Sequence, residues 1–328
     1  MRIAIDATPL GGPTGGIRRY TEELARELAR SDEVTLVEPQ GGRWWSWGLP
    51  RELRRLQVDV FHGTDFAVPY RRVCPSVMTI HDLSPWMDRG WHHNAERVRR
   101  RTPWLLRLGR AAMVLTPTEV VRRQAIARFR LEPDIVRAVP HAAAACFQPP
   151  QDRLTEPFFL VVGTIEPRKN VGRVVEAWRQ TRGAGLWFIG RKREDGPALD
   201  GEPGLRWLGE VDDARLSVYL ASARAVLYPS LYEGFGLPVL EAMQCGAAVI
   251  ASRDAAIAEV AGDGALYADA GSTEEWVAQM RAVSENGELA AEMRQRALKR
   301  ARMFSWERTA ALTRAVYEEA IRRCAGPM

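Results

Sequence analysis

Apolar positions in the first half of the chain follow two alternating periods. Ile3-Ala4-Ile5 is a short apolar run, and a glycine-rich stretch follows it at Gly11, Gly12, Gly15 and Gly16. Ile17, Tyr20, Leu24 and Leu28 then recur at helical spacing, which predicts a helix over 17–30 with one apolar stripe. Further strands are predicted at 34–37, 58–61, 77–80, 113–115 and 135–139, with helices over 95–110 and 118–130. Strands alternating with helices argue for a parallel sheet covered on both faces.

The alternation stops between Phe147 and Pro157, where three prolines and polar residues read as a linker. It then restarts. Phe158–Val162 is continuously apolar, as a strand buried on both faces should be. Strands at 186–189, 206–208, 226–228 and 248–250 follow, and a long amphipathic helix is predicted from Trp306 to Arg323. The expected fold is α/β: two Rossmann-like, doubly wound domains facing a central cleft. One spans 1–150, with about 312–328 crossing back to it, and the other spans 151–311. Ligands in such folds bind at the carboxyl ends of the strands.

Composition narrows the class. The chain has 328 residues, 46% of them hydrophobic, enough for two ordinary cores. It has no apolar run of about 18 residues to span a bilayer, and its first residues read as a strand rather than a leader. Four scattered cysteines (Cys74, Cys146, Cys245, Cys324) suggest neither a disulfide framework nor a zinc site, and a reducing cytoplasm is expected. Net charge is +5, but residues 1–150 alone carry 23 Arg and 16 acids, a balance of +7. Arginines cluster at 97–110 and 122–130, and tryptophans interleave at 44, 45, 47, 86, 91 and 104. Two readings stand side by side. One is a basic face for an anionic membrane or phosphorylated acceptor. The other is solvated charge in a chain with 43 Arg and three Lys.

Candidate chemistry concentrates in the second half. Ser230–Gly246 follows a strand and carries Glu233 and Glu241 eight positions apart. Between them lie the turn Gly234-Phe235-Gly236 and then Leu237-Pro238, suited to the first turn of a helix. Strand, glycine loop and helix N-terminus together form a phosphate cradle. The flanking acids can take hydrogen bonds from sugar and ribose hydroxyls. Gly163-Thr-Ile-Glu-Pro-Arg168-Lys169-Asn170 likewise leaves a strand and opens a helix, placing two cations where a diphosphate would lie. In the first half, His81-Asp82 ends one strand and His62 another. A histidine at a strand end is a candidate for the cleft, or is held by Asp82 for structure alone. His141 lies near the linker, and His92 and His93 are expected at the surface. There is no HExxH, DxD, G-x-x-x-x-G-K-[ST] or convincing G-x-G-x-x-G. No metal or other cofactor and no nucleic-acid partner is therefore expected, and dehydrogenase and P-loop kinase readings are weak.

The spacing of Glu233 and Glu241 within E-G-F-G-L-P-x-L-E-A-M resembles the signature of glycosyltransferase family 4, and the likeness extends over nearly the whole chain. That resemblance implies a GT-B fold, a nucleotide-sugar donor and retention of configuration. It implies that Arg168 and Lys169 grip the pyrophosphate, that Gly163, Thr164 and Gly234–Leu237 lie along it, that Glu233 orients the sugar and that Glu241 meets the ribose. Gly190 and Val211 complete the expected donor set. His81 would line the catalytic centre, with Gly15, Gly16, His62 and Asp82 on the acceptor side. The family often has arginine after the first glycine; here Thr164 stands there. Residues 163–170 resemble a branch of mannosyltransferases that use GDP-mannose, and the acceptor is expected to be a glycan, free or lipid-linked. The place of work would be the cytoplasm or the inner face of its membrane. UDP- or ADP-sugar donors stay open, as does an epimerase of the UDP-GlcNAc 2-epimerase type. A non-catalytic nucleotide-sugar binder is the third reading, against which Lys169 and Glu233 argue.

Overall fold

The computed structural model describes residues 1–12, 15–92, 95–181, 183–197 and 201–325. His93, expected at the surface, lies outside them, as do Pro13 and Thr14 of the first glycine loop. Two compact units form: Met1–Ala142 with Ser305–Met328, and Ala143–Phe304. The predicted linker begins inside the second unit. Phe147 is fully buried in that unit's core beside Phe158 and Tyr228, so the segment is anchored at its start.

In the first unit the described strands are β1 (Arg2–Asp6), β2 (Glu33–Val37), β3 (Val60–Gly63), β4 (Ser76–Thr79), β5 (Met113–Thr116) and β6 (Val136–Ala138). They make one sheet in the order β2-β1-β3-β4-β5-β6, with every pair parallel. The chain runs outward from β1 to β2 and then returns to β3 on the other side. The gap between β1 and β3 is thus a topological switch point. The helix Trp306–Ala325 packs on the helix Gly16–Leu28 and against β3, β4 and β5. Arg314 to Asp32 (3.0 Å) and Arg137 to Glu319 (2.9 Å) pin it there.

The second unit repeats the plan with β7 (Phe158–Val162), β8 (Gly185–Ile189), β9 (Leu205–Trp207), β10 (Val226–Tyr228), β11 (Val249–Ser252) and β12 (Leu266–Ala268). Its order is β12-β11-β10-β7-β8-β9, again parallel throughout. All five residues of β7 are buried. Phe158, Leu160 and Val162 enter one core and Phe159 and Val161 the other, so helices cover both faces of this sheet. Its switch point lies between β7 and β10, the strands that release the two glycine loops.

Candidate active site

The loop after β7 is tightly built. Gly163 has φ +130° and Gly190, at the end of β8, has φ +133°. A Cβ on Gly190 would lie 2.2 Å from the carbonyl oxygen of Gly163. Gly190 is therefore required for close passage of two strand ends, which accounts for it without a ligand. A 3-10 turn, Pro167–Lys169, follows, and Asn170 closes it at φ 51°, a left-handed conformation that asparagine tolerates. The Asn170 amide donates to the carbonyls of Pro229 (3.2 Å) and Ala270 (2.8 Å). One side chain thus ties the loop after β7 to the loops after β10 and β12 and fixes where Lys169 can reach.

Lys169 Nζ donates to Glu233 Oε1 at 2.6 Å and to the Tyr228 hydroxyl at 2.7 Å. Arg168 Nη1 lies 3.0 Å from the same Glu233 oxygen and donates to the Tyr232 carbonyl, while Nη2 donates to Glu166 Oε1 at 2.8 Å. Arg193, from beyond β8, donates to the other oxygen of Glu166 at 3.0 Å. The side chains of Arg168, Lys169 and Glu233 are 10–13% exposed. Burial by itself would raise the Glu233 carboxyl, but Arg168 and then Lys169 outweigh it and hold the group well below the ordinary carboxylate range. Burial lowers the Lys169 ammonium, and Glu233 opposes that shift. Asp254 supports the arrangement: its carboxylate caps the helix Ala255–Ala261 and accepts the Glu233 backbone N–H.

Gly163, Thr164, Lys169, Tyr228, Pro229 and Ser230 line a hollow at the carboxyl ends of β7 and β10. The expected donor residues divide around it. Gly163, Thr164 and Lys169 line it, and Arg168 and Glu233 join through the ion cluster. Phe235 and Val211 instead pack into or against the core, with Phe235 edge-on to Phe304 at 6.0 Å. Leu237 also packs on that core. Gly234 is buried, and Gly236, at φ 83°, supplies the left-handed entry to the helix Leu237–Gln244. Glu241 is 5% exposed on that helix. Glu166, Tyr228, Arg193 and Asp254 were not singled out from sequence. Each acts through a partner distant in the chain, except Glu166, whose spacing of two from Arg168 was the available signal.

The first unit holds a different cluster. His62 is fully buried, with Nδ1 at 2.6 Å from the Tyr317 hydroxyl and Nε2 at 2.7 Å from Thr79 Oγ1. It was expected on the acceptor side; with both ring nitrogens engaged and no exposed surface, it is a core tie between β3 and the C-terminal helix. His81 is half-buried. Its Nε2 donates to the Thr64 carbonyl at 2.7 Å, and Nδ1 lies 3.3 Å from His141 Nε2. Burial lowers the pKa of all three rings, His62 to about 3. A neutral His81 with hydrogen on Nε2 must accept at Nδ1, so His141 donates from Nε2. Asp82 does not hold His81. Its Oδ1 accepts from the Ser84 N–H (2.8 Å) and hydroxyl (2.6 Å) at the start of the helix Ser84–Met87. Gly15 has open space where a Cβ would stand, so packing does not demand glycine there. Gly16 begins the helix Gly16–Leu28.

Among the described residues no group of three His, Cys, Asp or Glu could hold a metal ion, and no helix is long and apolar enough to cross a membrane. None of the four cysteines is in a disulfide.

Comparison with known proteins assigns the chain. The profile of "Glycosyl transferases group 1" matches residues 146–300 and that of "Glycosyltransferase Family 4" residues 36–143. O-antigen chain mannosyltransferase B of Escherichia coli is 29% identical, covering 94% of this chain and 97% of its own. The MMP alpha-(1->4)-mannosyltransferase of Mycolicibacterium hassiacum is 31% identical over 86% of this chain and 78% of its own. Among solved structures, Anabaena Alr3699/HepE in complex with UDP and glucose superposes with TM-score 0.77 at 15% identity, covering 97% of this chain and all of that one. An epimerase reading receives no support from these relatives.

Proposed function

We propose, for a chain that belongs to the family 4 and group 1 glycosyltransferases, transfer of mannose from GDP-mannose, with retention, to a hydroxyl of a glycan, free or lipid-linked. The observation that carries the donor side is the buried ion cluster of Lys169, Arg168 and Glu233 beside the hollow at the β7–β10 switch point. The mannosyl donor rests on the two mannosyltransferase relatives.

Transfer breaks the anomeric C–O bond and leaves charge on the departing diphosphate. Arg168 and Lys169 are held in place before the reaction, so they stabilise that charge without reorganising. Glu233 keeps both cations ionised and oriented; on donor arrival the diphosphate shares the cations with it. Glu241 is assigned to the ribose. The acceptor oxygen forms the new C–O bond on the face the diphosphate leaves, and its proton passes to the departing phosphate oxygen. The two fixed cations take the place of a divalent ion. His81 is assigned to the transferred hexose, and Gly15 and Gly16 to the acceptor.

Calorimetric titration with GDP, UDP and ADP tests the donor. GDP should bind at least about tenfold more tightly than the others, a difference of about 1.4 kcal/mol. A clear preference for UDP or ADP overturns the donor assignment and leaves the family untouched.

A further inference from the structure

The arginine-rich stretch at 97–110 does not behave as one face. Arg99 is 13% exposed, and its guanidinium donates to the carbonyls of Pro85 (2.5 Å) and His92 (2.9 Å). Arg101 lies over the Trp45 ring, 5.1 Å from its centroid, and burial lowers its pKa. Both are built into the unit. In the second cluster, Arg122 is spent on Glu119 and on the carbonyls of Val136 and Pro133. The tryptophans divide likewise: Trp44 and Trp45 are buried, whereas Trp47 and Trp104 are 55% and 47% exposed.

The exposed members converge. On the helix Glu96–Arg107 and its C-terminal flank, Arg100, Trp104, Arg107 and Leu108 share one face at helical spacing, and all four are exposed. Tyr70 meets Trp104 edge-on at 5.7 Å, and its neighbour Arg71 stacks on Trp47 at 3.5 Å. Arg72 donates to the Gly109 carbonyl, closing segment 70–72 against the end of the helix. Trp47, Tyr70, Arg71 and Trp104 therefore form one continuous surface. Segments 41–51, 70–72 and 97–110, which build it, contain ten arginines and no acidic residue. The nearest acid along the helix, Glu96, forms an exposed ion pair with Arg100 at 2.8 Å, weak enough for a lipid phosphate to replace.

We propose that this surface docks on an anionic lipid bilayer, with Trp47, Trp104 and Leu108 entering the headgroup region and Arg71, Arg100 and Arg107 meeting lipid phosphates. Charge complementarity selects this occupant. Two half-exposed indoles ringed by guanidinium groups match an interface that is apolar below and negative above. The proposal deepens the reading of a lipid-linked acceptor: an enzyme held at the bilayer meets a lipid-borne hydroxyl in two dimensions rather than three.

The test is flotation of the intact protein with vesicles of phosphatidylcholine, with and without phosphatidylglycerol, in the absence of donor and acceptor. Binding should require phosphatidylglycerol and weaken as salt rises, because screening reaches about 8 Å at physiological ionic strength. The double variant Arg100→Glu with Arg107→Glu should bind at least about tenfold more weakly, given about fivefold per basic residue near an anionic leaflet. Trp47→Ser with Trp104→Ser should weaken binding even at low salt. Arg99→Glu would disturb packing and serves no such test. Nucleotide titration of the same samples should be unchanged, which separates a failed surface from a failed donor site. Absence of flotation at low salt, equal flotation on phosphatidylcholine alone, or indifference to both double variants would overturn the proposal. So would a dimer in solution that the tryptophan variant dissociates, since a second copy would then occupy the face.

Discussion

Around the β7–β10 switch point of the second unit, Lys169 and Arg168 are in contact with Glu233. Around the ends of β3 and β4 in the first unit, His62, His81 and His141 are kept neutral and linked through Thr79, Tyr20 and Tyr317. The sheets are the same kind: parallel, six described strands, with a switch point beside the first strand. The difference lies in what the loops bring. The second unit buries cations and balances them with a carboxylate, which suits an anionic ligand that can share those cations. The first unit buries rings whose charged form is disfavoured, which suits neutral hydroxyl chemistry and rigid packing. A shared scaffold thus carries two electrostatic regimes, each set by a handful of loop side chains.

Removing the ammonium probes the charged side with the largest expected effect. Lys169→Ala should lower kcat/KM by at least about two orders of magnitude, as loss of one preorganised donor does. Near-normal turnover with the fold intact would remove Lys169 from the chemistry. Glu233→Gln should cost about 3 kcal/mol of stability, because it leaves buried cations without a carboxylate they were built around. Denaturant unfolding measures this, and a loss below about 1 kcal/mol would mean that solvent screens the cluster.

Acid should separate the units. His62 has a folded pKa of about 3 against an ordinary value near 6.5, so its contribution is complete above about pH 6.5 and fades as pH falls toward 3. About 2 to 3 kcal/mol should be gone by about pH 4.5. Glu233, also depressed, keeps its contribution until pH drops below the ordinary carboxylate range. Thermal scans between those limits should therefore show the first unit loosening first. His62→Gln should flatten that slope, and an unchanged slope would contradict the assignment of the acid response to this ring. The smallest effect is expected from chelation. Excess EDTA should leave turnover unchanged, and loss restored by magnesium or manganese would show that the two cations do not suffice.

Much of this contrast could be read from the chain, but unevenly. The buried run Phe158–Val162 and the loops after β7 and β10 carry their structure locally, through apolar continuity, glycine and proline. β12 escaped because Leu266–Ala268 is a partly exposed edge strand that pairs only with β11. The role of His62 depends on Tyr317, 255 residues away in the chain. Gly190 looked like a ligand contact and is a packing requirement, visible only once Gly163 lies across from it. Arg168 and Lys169 were legible as cations at a strand end. That Glu233 holds them, rather than standing apart to meet the sugar, is a long-range fact.

The central claim is that the second unit's ion cluster grips a leaving diphosphate. Its most direct test is equilibrium binding of GDP and GMP to the parent protein and to Lys169→Ala, measured by calorimetry under identical salt. The parent should bind GDP at least about tenfold more tightly than GMP, about 1.4 kcal/mol for the second phosphate, and Lys169→Ala should lose most of that advantage while binding GMP nearly as before. Equal affinities for GDP and GMP in the parent, or an advantage that survives in Lys169→Ala, would contradict the account.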